Sequence, residues 1–407
     1  MMSLKRHRRE TTPSARPSLA VYLHFPWCKE KCPYCDFVSF ARPPAAVDHH
    51  RYAAAVEAEI EHRASLFERY RVTTIFFGGG TPSLWAPEAL GAVLDAVLRA
   101  APHRAPNLEI SVECNPSSLD RERARALRDR GVTRLSVGVQ GLDPERLRFL
   151  GRWHSPDDAL RALDDAVAIM PRVSADVIFG VAADDPERAQ RPEEAAAEVA
   201  RVAATGVSHL SAYALTIEDG TRFGTLDRQG RLPLVGEDVV AESFLAVRET
   251  LEGRGFSHYE VSNYARFGHE SRHNAAYWRG DDYLGLGCAA FGTLSARDGT
   301  ARRYRNPLNP RAYYAAAERR DFEPSFEEQL TAETRLRERL MLGLRMREGV
   351  DLERAARTLG LDEAWPPHRE AEARNLIAEG RLERHGTTVR IPPDHWLYAD
   401  GIAARLF

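Results

Sequence analysis

From residue 19 to about 215 the chain alternates short apolar runs with longer amphipathic stretches, and that rhythm limits its fold more than any other feature. "LAVYLHF" (19–25), "VTTIFF" (72–77), "LEISVEC" (108–114), "VTRLSVGV" (132–139), "VSADVIF" (173–179) and "VSHLSAYAL" (207–215) read as six strands. Ala- and Arg-rich stretches with helical spacing lie between them, at 52–69, 87–100, 119–130, 156–170 and 187–205. Strands separated by helices pair in parallel, because a parallel pair needs a long crossover. Six such units predict an α/β fold, an incomplete parallel (β/α)6 barrel. A flat doubly wound sheet is the alternative.

The strand ends carry distinctive residues. "GGGTP" (78–82) comes after the second strand, "ECNP" (113–116) at the third and "QG" (140–141) after the fourth, with Asp176 just before "IFG" in the fifth. Ligand-binding groups of barrels collect where strands end and βα loops begin, so these segments predict a site on one face.

Beyond 215 the rhythm fades. A helix is expected over 238–253, then a segment rich in aromatics, His and Gly over 256–292. Helical spacing returns at 331–348, and "GRLERHGTTVRI" has the form of a small hairpin. The expected division is a disordered tail (1–18), a barrel core (19–235), an intermediate segment (236–320) and a smaller C-terminal helical domain (325–407), winged if the hairpin forms.

A net charge of −3 gives no global attraction to nucleic acid or anionic membrane. The basic N-terminus is not succeeded by an apolar signal segment, and no apolar run approaches the roughly 18 residues of a membrane span. Five cysteines, an odd number, argue against a disulfide framework and for a reducing, cytoplasmic compartment.

Three of those cysteines, Cys28, Cys32 and Cys35, lie in "HFPWCKEKCPYCDF" directly after the first strand. Thiolates bind zinc, copper(I) and iron–sulfur clusters. Structural zinc wants four ligands, for which His24 or Asp36 is available as the fourth. A four-iron cluster on three thiolates instead leaves one iron open to a cofactor. Cys114 and Cys288 stand alone in the sequence and read as buried packing thiols.

C-x3-C-x2-C after the first strand of a βα barrel resembles the radical S-adenosylmethionine superfamily. The resemblance implies a [4Fe-4S] cluster held by Cys28, Cys32 and Cys35, with the amine and carboxylate of S-adenosylmethionine on the open iron. It implies that an electron from the cluster can split the sulfonium to a radical that abstracts hydrogen. It also implies that Tyr22, Gly80, Thr81, Glu113, Gln140, Arg152 and Asp176 line the cofactor cavity.

Over roughly residues 19 to 400, "VYLHFPWCKEKCPYCDF", "FFGGGTPS", "ECNP", "SVGVQGLD", "LGRWH", "DVIFG" and "LMLGLRMREGVDL" resemble the coproporphyrinogen oxidase-like branch. That branch holds oxygen-independent coproporphyrinogen III decarboxylases of porphyrin biosynthesis and HemW-type heme chaperones. The decarboxylase pattern has a further cysteine two positions after the third, where this chain has Phe37, and a longer N-terminal extension than the 27 residues before Cys28. Both departures favour the chaperone group. "HNAAYW" (273–278) resembles that group's H-N-x-x-Y-W motif. It makes His273 a candidate heme ligand, with Tyr277 and Trp278 as candidate ring contacts. The bland alternative is a core histidine with two packing aromatics. The implied partners are heme, an unidentified heme-acceptor protein and, if S-adenosylmethionine is cleaved, an electron donor.

Overall fold

A computed structural model describes residues 16–407; residues 1–15, most of the expected tail, lie outside the described residues. Six strands, β1 (Ser18–Phe25), β2 (Arg71–Gly79), β3 (Arg104–Cys114), β4 (Arg134–Gln140), β5 (Val173–Phe179) and β6 (His209–Ala214), fall at the expected places. Neighbours pair in parallel in sequence order. β1 and β5 are buried along nearly their whole length, as strands covered on both faces must be. Side-chain caps set the entries of the connecting helices. Asp120 accepts from the Arg123 N–H, and Ser155 forms a reciprocal box with Asp158.

The sheet is larger than the alternation predicts. β7 (Ser257–Glu260), β8 (Asn263–Ala265), β9 (Asp282–Leu286), β10 (Phe291–Ser295), β11 (Ala301–Arg305) and β12 (Phe326–Leu330) extend it at both ends. The order is β12-β11-β10-β9-β1-β2-β3-β4-β5-β6-β8-β7. β9 runs parallel to β1, with Leu23 opposite Leu286, and so adds a seventh parallel strand to the incomplete barrel. β8 pairs antiparallel with β6, which ends the parallel run on the other side.

Residues 332–407 form mainly helices, joined by a three-stranded sheet of order β13-β15-β14 from β13 (Val350–Asp351), β14 (Glu383–His385) and β15 (Thr388–Arg390). The expected hairpin is the β14–β15 pair. Among the described residues no helix is long and apolar enough to cross a membrane.

Candidate functional site

β1 ends at Phe25, and the chain turns into Trp27–Cys28, which pairs with Phe40–Ala41 and so closes the cysteine segment into a loop. Trp27 is buried edge-on against Phe25 (ring centroids 5.2 Å) and Tyr52 (4.8 Å), an aromatic footing for Cys28. The Cys35 N–H donates to the Cys32 carbonyl at 3.2 Å, a tight turn that carries the second and third cysteines.

Above the strand ends lies a cavity of about 680 Å3 lined by all three cysteines. The same cavity is lined by Tyr22, Gly80, Thr81, Glu113, Gln140, Arg152 and Asp176, which come from the strands and the loops at their ends. It continues down the barrel axis past Arg134, Ser174 and His209 to His273 and Tyr277.

The glycines of "GGGTP" are demanded by their protein neighbours. A Cβ on Gly78 would stand 2.8 Å from the Tyr22 ring, and one on Gly80 would stand 2.5 Å from the Trp27 carbonyl oxygen. Gly79 has φ +108°, and a Cβ there would meet the His24 ring at 2.5 Å. The Gly80 and Thr81 N–H groups donate to the Phe25 and Trp27 carbonyls at 2.7 and 2.8 Å, which fastens this loop to the base of the cysteine loop.

His24 is not a fourth metal ligand. Its Nδ1 accepts from the Tyr22 hydroxyl at 3.0 Å and its Nε2 donates to the Val38 carbonyl at 2.8 Å. Burial lowers its pKa to about 4, so the ring is neutral.

Gln140 has φ 67°, a left-handed conformation uncommon outside glycine, at the point where the β4–β5 register shifts. Arg152 donates to the Gly138 carbonyl at 2.7 Å and reaches the Cys32 sulfur at 3.7 Å; its Nε is buried without a partner. An unpartnered guanidinium N–H beside a thiol is suited to an anionic group on the cluster side.

Two carboxyls face the cavity. Asp176 accepts from Ser136 at 3.1 Å, and burial raises its pKa. Glu113 accepts from the Gly79 N–H at 3.1 Å, and burial, with Asp176 nearby, raises it from 4.5 to about 8. Below pH 4.5 the folded and unfolded chains both hold the Glu113 proton. Between 4.5 and about 8 only the folded chain keeps it, so stability is lost as pH rises through that window. Glu113→Gln removes the titration. The variant's Tm is expected to match the wild type below pH 4.5 and to exceed it increasingly up to pH 8. Thermal unfolding across this range checks it, and a pH-independent offset would refute it.

The "HNAAYW" helix (Arg272–Trp278) closes the barrel from below. Glu109 of β3, fully buried, accepts from the Arg272 and His273 N–H groups at 3.0 and 3.2 Å. His273 is buried under the cavity. Its Nδ1 lies 2.8 Å from the Thr74 hydroxyl and its Nε2 lies 3.2 Å from the Tyr277 hydroxyl. Its ring stacks on Phe76 at 4.8 Å, and burial lowers its pKa to about 3. In this arrangement neither nitrogen is free for an iron. Trp278 is not part of the cavity lining; the Arg345 guanidinium lies 5.0 Å from its ring centroid instead. Cys114 and Cys288 are buried, the second donating to the Pro307 carbonyl at 3.4 Å.

The donor set fits an iron–sulfur cluster by its chemistry: three free thiols within eight residues on one loop, open to a cavity that a cofactor can share. As the loop stands, no three His, Cys, Asp or Glu side chains among the described residues converge closely enough to hold an ion. Sequence reasoning missed the groups that hold the carboxyls, Ser136 among them, because isolated serines carry no pattern.

Two family profiles match the chain: the Radical SAM superfamily over residues 22–191 and the HemN C-terminal domain over residues 330–398. The first implies a [4Fe-4S] cluster and S-adenosylmethionine. A Mycobacterium tuberculosis protein named heme chaperone HemW is 35% identical over 390 residues, covering 95% of this chain and 94% of that one. The Escherichia coli protein of the same name is 37% identical over 298 residues, 73% of this chain and 76% of that one. Among solved structures, coproporphyrinogen III oxidase (HemN) from Escherichia coli, a radical SAM enzyme, matches with a TM-score of 0.79 over 96% of this chain and 90% of that chain. At 20% identity that match speaks for the fold alone. With the C-x3-C-x2-C loop after the first strand of an incomplete barrel and a relative 35% identical over 95% of its length, the chain belongs to the radical SAM superfamily, in the family of the HemW heme chaperones.

Proposed function

We propose that this chain is a heme chaperone of radical-SAM type, which binds heme and passes it to an acceptor protein. Cys28, Cys32 and Cys35 hold the [4Fe-4S] cluster in this reading. Tyr22, Gly80, Thr81, Glu113, Gln140, Arg152 and Asp176 surround S-adenosylmethionine. When bound, the cluster and its cofactor supply one-electron chemistry, which needs an electron donor if the cofactor is cleaved. The polypeptide's own contribution is to position: Gly79 and Glu113 fix one wall, Arg152 places positive charge beside Cys32, and the buried carboxyl pair keeps a proton in the cavity.

The observation that carries this reading is identity of 35% to a protein named heme chaperone across 95% of the chain. Phe37, where the decarboxylase pattern has a cysteine, points the same way. The competing reading, oxidative decarboxylation of coproporphyrinogen III, rests on a likeness of fold.

One anaerobic experiment separates the two. The reconstituted protein is titrated with hemin while a parallel sample receives coproporphyrinogen III, S-adenosylmethionine and a reductant. Saturable hemin binding without decarboxylated product is expected. Turnover to product would sink the chaperone reading.

A further inference from the structure

If heme binds this chain, the floor of the cavity is a poor place for it. His273 and Tyr277 lie beneath the cofactor-lining residues, and both imidazole nitrogens are engaged. Iron ligation there would have to break the Thr74 or Tyr277 contact of a ring already stacked on Phe76, on a helix whose first turn is held by buried Glu109.

The mouth of the same cavity is built differently. Trp153 is 73% exposed and Phe37 is 53% exposed, and both border the opening. Large aromatic faces left bare at the rim of a cavity mark a binding surface more often than an accident of folding. Their backbones are fixed although their side chains are free. Trp153 stands between Arg152, bonded to the Gly138 carbonyl, and buried His154, whose Nε2 donates to the Val139 carbonyl at 2.9 Å. Phe37 precedes Val38, whose carbonyl takes the His24 proton, and its own carbonyl accepts from Lys31 at 3.0 Å.

The two loops also touch. Gly151 has φ +67°, and a Cβ there would meet the Pro33 ring at 2.6 Å, so the Trp153 loop packs directly on the cysteine loop. Aromatic side chains on fixed backbone bind a flat ligand at a lower ordering cost than the same rings on mobile loops. Lys29 and Lys31 are exposed at the same opening, the two lysines of the chain beyond Lys5. Glu30 and Asp36 alternate with them, so the rim is not a general anion trap. A planar apolar ring with a few flexible carboxylates at its edge suits this mixture.

We propose, resting on the heme-chaperone reading, that heme docks at the cavity mouth. Its macrocycle lies against Trp153 and Phe37 and its propionates reach Lys29 and Lys31, away from the His273 helix. Heme so placed covers the entrance to the cofactor cavity.

Hemin titration of the reconstituted full chain, monitored by visible absorbance, tests this. Both aromatics are exposed, so their replacement leaves the core untouched. Trp153→Ala combined with Phe37→Ser is expected to weaken hemin binding by about a hundredfold, and each single change by about tenfold. Trp153→Phe, which keeps a flat face, should recover most of the loss. A double variant that binds hemin as tightly as the wild type overturns the proposal, as does a loss produced by His273→Gln instead; in either case the chaperone reading stands. Absence of saturable binding in the wild type overturns both.

Discussion

Replacing any one of Cys28, Cys32 or Cys35 by alanine is expected to abolish the cluster, with iron and sulfide both falling below about a tenth of the wild-type content after anaerobic reconstitution. The three thiols come from one loop, and among the described residues neither His24 nor the two remaining cysteines is free to substitute. His24 has both nitrogens engaged, Cys114 is buried within β3, and Cys288 donates to the Pro307 carbonyl. Burial raises the Cys28 thiol and pushes Cys35 up to about 11, so in the metal-free chain these groups are protonated at neutral pH. Cluster assembly must therefore expel protons, and it should slow as the pH is lowered. A single-alanine variant that retains wild-type iron and sulfide would remove the metal-site assignment.

Glu109→Ala is expected to be strongly destabilising, costing about 3 to 5 kcal/mol of unfolding free energy in urea titrations. The carboxylate is fully buried. One oxygen accepts the Arg272 and His273 N–H groups, and the other faces Arg134, Arg172 and Arg272 at 3.7 to 3.8 Å. Removing it strands Arg134, itself buried, beside two further cations and leaves the Arg272 and His273 N–H groups of the floor helix without an acceptor. Glu109→Gln keeps an acceptor and loses the charge, so it should fall between the two. A cost under about 1 kcal/mol for alanine would mean that the arginines are satisfied without it.

The core of this fold was legible because its signal is local. Alternation alone placed β1 to β6 within a few residues, and the stretch 87–100 coincides with the helix Pro87–Ala100. The segments at the strand ends converge on one cavity because a parallel sheet puts all those ends on one side. The features that escaped are set by partners far away in sequence. β9 reads "DYLGL", too short and Gly-broken to announce a strand, and it is fixed by pairing with Leu19–Leu23. The sequence leaves His273 open between a heme ligand and a core histidine, because Thr74, which engages its Nδ1, lies 199 residues earlier. Trp278 shares a short helix with His273 but turns to Arg345 of the C-terminal region, a neighbour that no motif spacing reveals.

The three glycines after β2 have a consequence beyond the space they leave. Tyr22, His24 and Trp27 press directly on Gly78, Gly79 and Gly80, with no side chain between to yield. The exit of β1, which carries the cysteines, and the glycine loop that lines the cavity are therefore packed and hydrogen-bonded directly to each other, with no intervening side chain to absorb a shift. Occupancy on one side is then felt on the other, and linkage makes the effect mutual: whatever factor the cluster adds to cofactor affinity, the cofactor returns to cluster retention.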